Sequence, residues 1–403
     1  MTDSKTLGLY LHIPFCRSRC YYCGFYSVVS KLTDSFLDAL AQEMENKSKL
    51  FEDKLCDTVY LGGGTPSVLS GNQLKSIIEA LHRYFHIYEN AEITMEMNPC
   101  DMTEAYLKNA LEQGVNRISV GVQTNRDELL VKIGRRHTAA EAEKAVNRAF
   151  KLGFRNISID LMCELPGQTV DDFEKTLKYA VHLPVTHMSV YSLILEEGTR
   201  FSQMASRGIL ARPSENDSWA MYQAMCRILP HYGFERYEIS SFARTGFQSA
   251  HNRKYWKLED YLGLGPSACS RIGHERWENI SNLRLYEAWL AADEPVEEKI
   301  SLSPKEEMEE FAFLGLRMKE GINGREFYQR YGKEIMEVYG SVVKKLVKEK
   351  MIFLNNGNIQ MTYKGAALGN YVLNNFFWIE SVGREVSLSV LFCECFYFLQ
   401  LLH

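Results

Sequence analysis

Residues 92–98 read EITMEMN, an alternation that sets Glu92, Thr94, Glu96 and Asn98 on one face and Ile93, Met95 and Met97 on the other. Side chains along a strand alternate with period two, so this is a strand with one polar and one apolar face. Three later segments repeat it. Arg117, Ser119, Gly121 and Gln123 oppose Ile118, Val120 and Val122; Ser158 and Asp160 oppose Ile157, Ile159 and Leu161; His187, Ser189 and Tyr191 oppose Met188 and Val190. Strands at 8–15 and 58–61 come earlier, and helical patterns separate all six, as with Leu74, Ile77, Ile78 and Leu81 on one face. Ser70 with Gln73 and Thr138 with Glu141 are capping boxes, and Gly114 and Gly153 fall where helix ends need a left-handed residue. Strand–helix repetition implies a parallel sheet, either open and doubly wound or closed towards a barrel. Parallel strands are usually apolar on both faces. A polar face shared by neighbouring strands needs polar contents, which a ligand-filled lumen supplies. The expected fold is therefore α/β, a partial (β/α)6 TIM-like barrel, with Glu96, Gln123 and Asp160 near the carboxyl ends of their strands, where barrels place their chemistry.

Beyond residue 200 the pattern loosens into a helix at 215–229, an apolar stretch at 237–242 and a glycine-rich segment at 261–270. Ser303, Pro304 and Glu306 then combine an N-cap, a proline at the first helical position and a capping-box glutamate. Helices at 304–319, 324–331 and 333–350 and a hairpin turning at Asn356-Gly357 make a small, mostly helical, winged-helix-like C-terminal domain. The expected organisation is a barrel with its extension over 1–290, this domain over 300–377 and an apolar tail over 378–403. Between 304 and 350 ten basic residues face nine acidic ones, so no nucleic-acid partner is expected. Residues 386–403 are apolar but contain Glu394 and lack a full flanked span. We expect a packed terminal element, with at most peripheral membrane association.

The whole chain has 403 residues with 46% apolar, 24% charged and a net charge of −5, a globular composition of two to three domains and too acidic to be held mainly by phosphate backbones. Ten cysteines are far too few for a disulfide scaffold. His12 and Pro14 interrupt the first apolar run, which is therefore no signal peptide, and a reducing, cytoplasmic compartment is expected.

Cys16, Cys20 and Cys23 stand in CRSRCYYC directly after the first strand. Gaps of three and two residues let one loop aim three thiolates at one centre, either three corners of a 4Fe–4S cube or a zinc site completed by His12 or another residue. Strand two runs into Gly62-Gly63-Gly64-Thr65-Pro66, a turn whose missing side chains expose backbone to a ligand. His187 reads as a satisfied structural histidine. Cys56, Cys100, Cys163, Cys226 and Cys269 read as buried small hydrophobes.

CRSRCYYC after YLHIPF, followed in order by GGGTP, MEMNP, GVQT and DLMCELPGQT, resembles the radical S-adenosylmethionine superfamily over roughly residues 5–377. The similar branch holds oxygen-independent coproporphyrinogen III oxidase, an enzyme of porphyrin biosynthesis, and its heme-chaperone relatives. The resemblance implies a radical-SAM barrel with a HemN-type C-terminal domain. It implies a 4Fe–4S cluster on Cys16, Cys20 and Cys23, and S-adenosylmethionine held by Tyr10, Tyr22, Gly63, Gly64, Thr65, Glu96, Gln123, Arg135 and Asp160. An electron from the reduced cluster then cleaves the cofactor to methionine and a 5′-deoxyadenosyl radical. Acidic and amide side chains suit an ammonium and ribose hydroxyls, and a guanidinium suits a carboxylate. Glu96 and Asp160 could instead pair with Arg117 across the lumen, and one of Arg135 and Arg136 should be solvated surface.

The two relatives differ at readable positions. The oxidase carries a fourth cysteine two residues after the third, where this chain has Phe25, and an arm ahead of the first strand, whereas this chain reaches Tyr10 almost at once. His251-Asn252-Arg253-Lys254-Tyr255-Trp256 matches the HNxxYW motif of the chaperones, which implies heme near His251, Tyr255 and Trp256. The expected function is a heme chaperone that transfers heme from a donor to hemoproteins such as respiratory enzymes; the alternative is the oxidase. An electron donor for the cluster and a cluster-dependent homodimer are further expectations of the resemblance.

Overall fold

The computed structural model describes residues 6–377. Strand and helix alternate as β1 (Thr6–Ile13), α1 (Asp34–Ser48), β2 (Leu55–Gly63), α2 (Gly71–Tyr84), β3 (His86–Met97), α3 (Glu104–Glu112), β4 (Arg117–Gln123), α4 (Asp127–Lys132), α5 (Ala139–Leu152), β5 (Asn156–Cys163), α6 (Val170–Ala180) and β6 (His187–Ser192). The six strands lie side by side in chain order and all run parallel. The apolar members of the alternating segments, such as Met95, Ile118, Val120 and Ile159, are buried in one core with Leu74, Ile77 and Leu81 of α2 and Phe173 and Leu177 of α6. Both expected capping boxes form, and Gly114 and Gly153 take φ of 85° and 122°.

The sheet is wider than the six-strand expectation. Tyr261–Leu264 adds in parallel beside β1, and Cys269–Ile272, Glu275–Asn279 and Glu297–Ser301 continue it antiparallel. On the other side Ser241–Ala243 runs antiparallel to β6 and carries Glu235–Arg236 at its edge. Among the described residues twelve strands thus form one sheet. The added strands have two to five residues, too few for a period to show in sequence.

Helices Pro304–Arg317, Gly324–Tyr331 and Ile335–Lys348 precede a hairpin of Ile352–Asn355 and Asn358–Met361, with Ile322–Asn323 as its third strand. Asn356 and Gly357 both have positive φ, 50° and 83°, which matches the twist of a two-residue hairpin. This helical region is joined to the sheet by ion pairs of Glu310 with Arg271 and Arg276, and the Arg317 guanidinium lies 4.6 Å from the ring centre of Trp256, on the helix Ala250–Trp256. Among the described residues no helix is long and apolar enough to cross a membrane. The apolar tail lies outside the described residues.

Helix α1 covers the root of the cysteine loop. Phe36 is fully buried there, edge-on to Phe15 with ring centres 5.1 Å apart. Phe36→Ala should therefore lower the urea-unfolding free energy by about 3–5 kcal/mol. A loss under about 1 kcal/mol would show that this contact does not anchor the loop.

Candidate functional site

The cysteine loop is tied off at its base. Val28 N donates to Pro14 O at 2.7 Å and Cys16 N to Val28 O at 2.9 Å, so residues 16–28 leave and return at one point. The glycine turn after β2 is strapped to the same place: Gly64 N donates to Ile13 O and Thr65 N to Phe15 O, both at 2.9 Å. A Cβ on Gly64 would lie 2.8 Å from the Pro14 carbonyl carbon, and Gly63, at φ +103°, has the His12 ring where a side chain would go. Glycine is needed here for close backbone approach. The Thr65 hydroxyl sits 3.3 Å from Cys16 Sγ, and Arg135 donates from Nη1 to Cys20 Sγ at 3.6 Å and from Nη2 to Gly121 O at 2.7 Å.

Cys16, Cys20 and Cys23 line one cleft, which encloses about 1290 Å³ with its open mouth included and runs down the polar face of β3 to β6. Tyr60 Oη donates to Glu96 Oε1 at 2.8 Å, and Ser119 Oγ donates to Asp160 at 3.2 Å. Burial, with the neighbouring Asp160 carboxylate, pushes Glu96 up to about 8; burial pushes Asp160 up to about 6. Two desolvated carboxyls facing one space are an electrostatic receptacle for a cation. Gln123 has a left-handed φ of 66° where the pairing of β4 with β5 slips between Gly121 and Gln123. This local strain places its amide on the cleft wall.

Of the residues read from sequence, the three cysteines, Tyr22, Gly63, Gly64, Thr65, Glu96, Gln123, Arg135 and Asp160 all line the cleft; Arg136 beside Arg135 lines it too but is exposed. Tyr10 stands off the cleft wall, buried against Tyr60 and His251 and hydrogen-bonded to His12 Nδ1 at 3.2 Å. His251, expected near heme, is fully buried at the opposite end of the lumen. Its Nδ1 bonds Thr58 Oγ1 at 2.9 Å and its Nε2 bonds Tyr255 Oη at 2.8 Å. Burial, then the charges of Lys254 and Arg117, hold it down to about 3, so it is a neutral imidazole with both nitrogens engaged. Tyr255 packs edge-on against Tyr261 at 4.6 Å, and Trp256 is buried under Arg317.

His12, the fourth ligand of the zinc alternative, has Nε2 on Tyr26 O at 2.9 Å and Nδ1 on Tyr10, and burial holds it down to about 4. Among the described residues no trio of His, Cys, Asp or Glu is grouped to hold a single ion. Among the described residues Arg117 forms no ion pair with Glu96 or Asp160; its hydrogen bond goes from Nη1 to Thr94 Oγ1 at 3.5 Å. His187 is satisfied as expected, by Ser158 at 2.8 Å and Tyr237 at 2.9 Å. Cys100 is exposed and Cys226 half-buried, contrary to their reading as core, because each lies at an element surface that periodicity does not reveal. Tyr60 and Asn252 line the cleft unforeseen. The alternation of Thr58, Tyr60 and Gly62 on β2 was the available signal for the first.

Such a barrel with three cysteines beyond its first strand is the frame of the radical SAM superfamily, whose model matches residues 10–180, while the HemN C-terminal domain matches residues 302–368. Heme chaperone HemW of Lactococcus lactis subsp. lactis (strain IL1403) is 38% identical over 372 residues, 92% of this chain and 97% of that protein. HemW of Bacillus subtilis (strain 168) is 38% identical over 371 residues, covering 91% and 98%. The chain belongs to the HemW heme-chaperone family of radical SAM proteins. Coproporphyrinogen III oxidase (HemN) from Escherichia coli shares the fold, with a TM-score of 0.82 at 25% identity over 93% of this chain and 91% of that one. The superfamily carries a 4Fe–4S cluster and S-adenosylmethionine.

Because Glu96 is raised from 4.5 to about 8, the ligand-free fold binds a proton that the unfolded chain has released between those values. Stability from this group is full below the lower value and is lost as pH rises through the upper one. Glu96→Gln should flatten the fall in urea midpoint between pH 6.5 and 8, a window chosen above the titration of Asp160, raised to about 6. An unchanged slope would mean that Glu96 is ionised throughout.

Proposed function

We infer that this chain is a heme chaperone that holds a 4Fe–4S cluster on Cys16, Cys20 and Cys23, binds S-adenosylmethionine in the cleft beneath it, and passes heme to hemoproteins. The observation that carries the reading is 38% identity across 97% of a HemW, set against 25% to the oxidase that shares its fold. Phe25, where the oxidase has its fourth cysteine, lines the same cleft and supports it.

The donor set suits the groups. Three thiols on one wall match the protein ligands of a cube with one iron left open. Burial pushes Cys23 up to about 12 in the metal-free chain, so binding iron there must release its proton. The Arg135 N–H and Thr65 hydroxyl beside Cys20 and Cys16 would steady the resulting sulfur charge. Glu96 would accept the ammonium of S-adenosylmethionine, Gln123 and Asp160 its ribose hydroxyls, and Tyr22 would cover the cleft. When bound, the cluster supplies an electron and S-adenosylmethionine a cleavable carbon–sulfur bond. The chain's own part is to hold the cation, desolvate it and keep water out.

Anaerobic reconstitution of Cys20→Ala should lose the iron and sulfide of the wild type while the far-ultraviolet circular dichroism stays close to it. Full iron content would remove Cys20 from the ligand set. Heme titrated into wild type, followed by absorbance, should bind stoichiometrically with no turnover of coproporphyrinogen; turnover would restore the oxidase reading. For His251 to ligate heme iron it must give up Tyr255 or Thr58. If it does, Tyr255→Phe binds heme more tightly and His251→Ala loses it, whereas unchanged uptake in both places heme on other residues.

A further inference from the structure

The cleft ends on a buried cation that the S-adenosylmethionine residues do not use. Arg117 is 1% exposed and lines the cleft, yet among the described residues no Asp or Glu forms an ion pair with it. Among the described residues its Nε–H has no acceptor, and its one hydrogen bond, to Thr94 Oγ1, is 3.5 Å long. A guanidinium removed from water is normally retained only with a carboxylate or equivalent acceptors around it. The wall offers a second orphan: Asn252 Oδ1 is buried, has no partner among the described residues, and belongs to a residue that lines the same cleft.

Register places the cation. Thr94 pairs with Arg117 and Glu96 with Ser119, while Gly121 pairs with Asp160. Arg117 therefore springs from the layer beneath Glu96, at the inner end of a cleft whose outer end is Gln123 and the cysteine loop. Six residue-to-residue steps along β4 lead from Arg117 to Gln123, about 20 Å of strand. Its charge draws Glu96 and Asp160 downward without closing an ion pair to either among the described residues.

We propose that Arg117 is a carboxylate subsite at the inner end of the lumen, taking the acid group of a ligand that enters past the cysteine loop. A guanidinium fork pairs with a carboxylate in two parallel bonds, more selectively than with a neutral acceptor. The carboxylate is a heme propionate, which rests on the chaperone reading above, or that of a small organic acid. Asn252 then accepts a hydrogen bond from the same ligand.

The test uses the full chain with its cluster reconstituted, as wild type, Arg117→Gln and Arg117→Lys, with four probes: hemin, hemin dimethyl ester, sodium propionate and S-adenosylmethionine. Wild type should bind hemin about tenfold tighter than the ester, the worth of one charge-assisted bond. Arg117→Gln should bring that ratio to about one with ester affinity unchanged, and Arg117→Lys should restore part of it. Retained ester binding also shows that the variant pocket is folded. Propionate should raise the unfolding temperature of wild type but not of Arg117→Gln. If the propionate shift depends on Arg117 while wild type binds hemin and ester equally, the occupant is a small acid. If wild type binds neither hemin nor ester, the chaperone reading fails, and the propionate comparison still decides the subsite. The proposal is overturned by a propionate response and a hemin-to-ester ratio that ignore Arg117, or by loss of S-adenosylmethionine binding in Arg117→Gln with that ratio intact.

Discussion

A barrel strand with a polar inner face carries charge into a space that water only partly reaches. Glu96 and Asp160 share that space, and burial holds both carboxyls above their ordinary range. The lumen is consequently unfavourable while empty and favourable once it holds a cation. The rest of the architecture serves this condition. Helices cover the outer, apolar faces of the strands, so polarity is confined to the inside, and the carboxyl ends of the strands leave a mouth where the cysteine loop can stand.

The loop and the glycine turn form a second constraint, made of backbone rather than charge. Gly64 and Thr65 bond to the carbonyls of Ile13 and Phe15, which tie the end of β2 to the exit of β1. The cysteine spacing and the glycine turn are legible in sequence as a pair, since either alone has ordinary structural readings. That the turn braces the loop, and that Thr65 and Arg135 reach the sulfurs of Cys16 and Cys20, depends on residues 49 and 115 positions apart. No local pattern carries such separations.

The HNxxYW segment shows the converse. Its residue types suit a heme, yet the fold engages three of them in packing: His251 closes the far end of the lumen on Thr58, Tyr255 holds His251, and Trp256 packs against the C-terminal helices under Arg317. The helix Ala250–Trp256 turns only Asn252, among its residues, to the cleft. A short helix carries too few residues for its faces to be assigned without knowing what it packs on.

By itself the sequence determined the strand–helix order, the face of each strand that looks inward and the capping residues. These follow from periods of two and 3.6 and from local hydrogen bonding. The tertiary structure alone decided which polar residues meet. It put Tyr60 on Glu96, kept Arg117 from both lumen carboxylates, moved Tyr10 and His251 off the cleft, and widened the sheet with strands too short to announce themselves. The physical reason is that contacts across a lumen are fixed by register and curvature between strands distant in the chain, whereas a residue's type and spacing report only which way it faces.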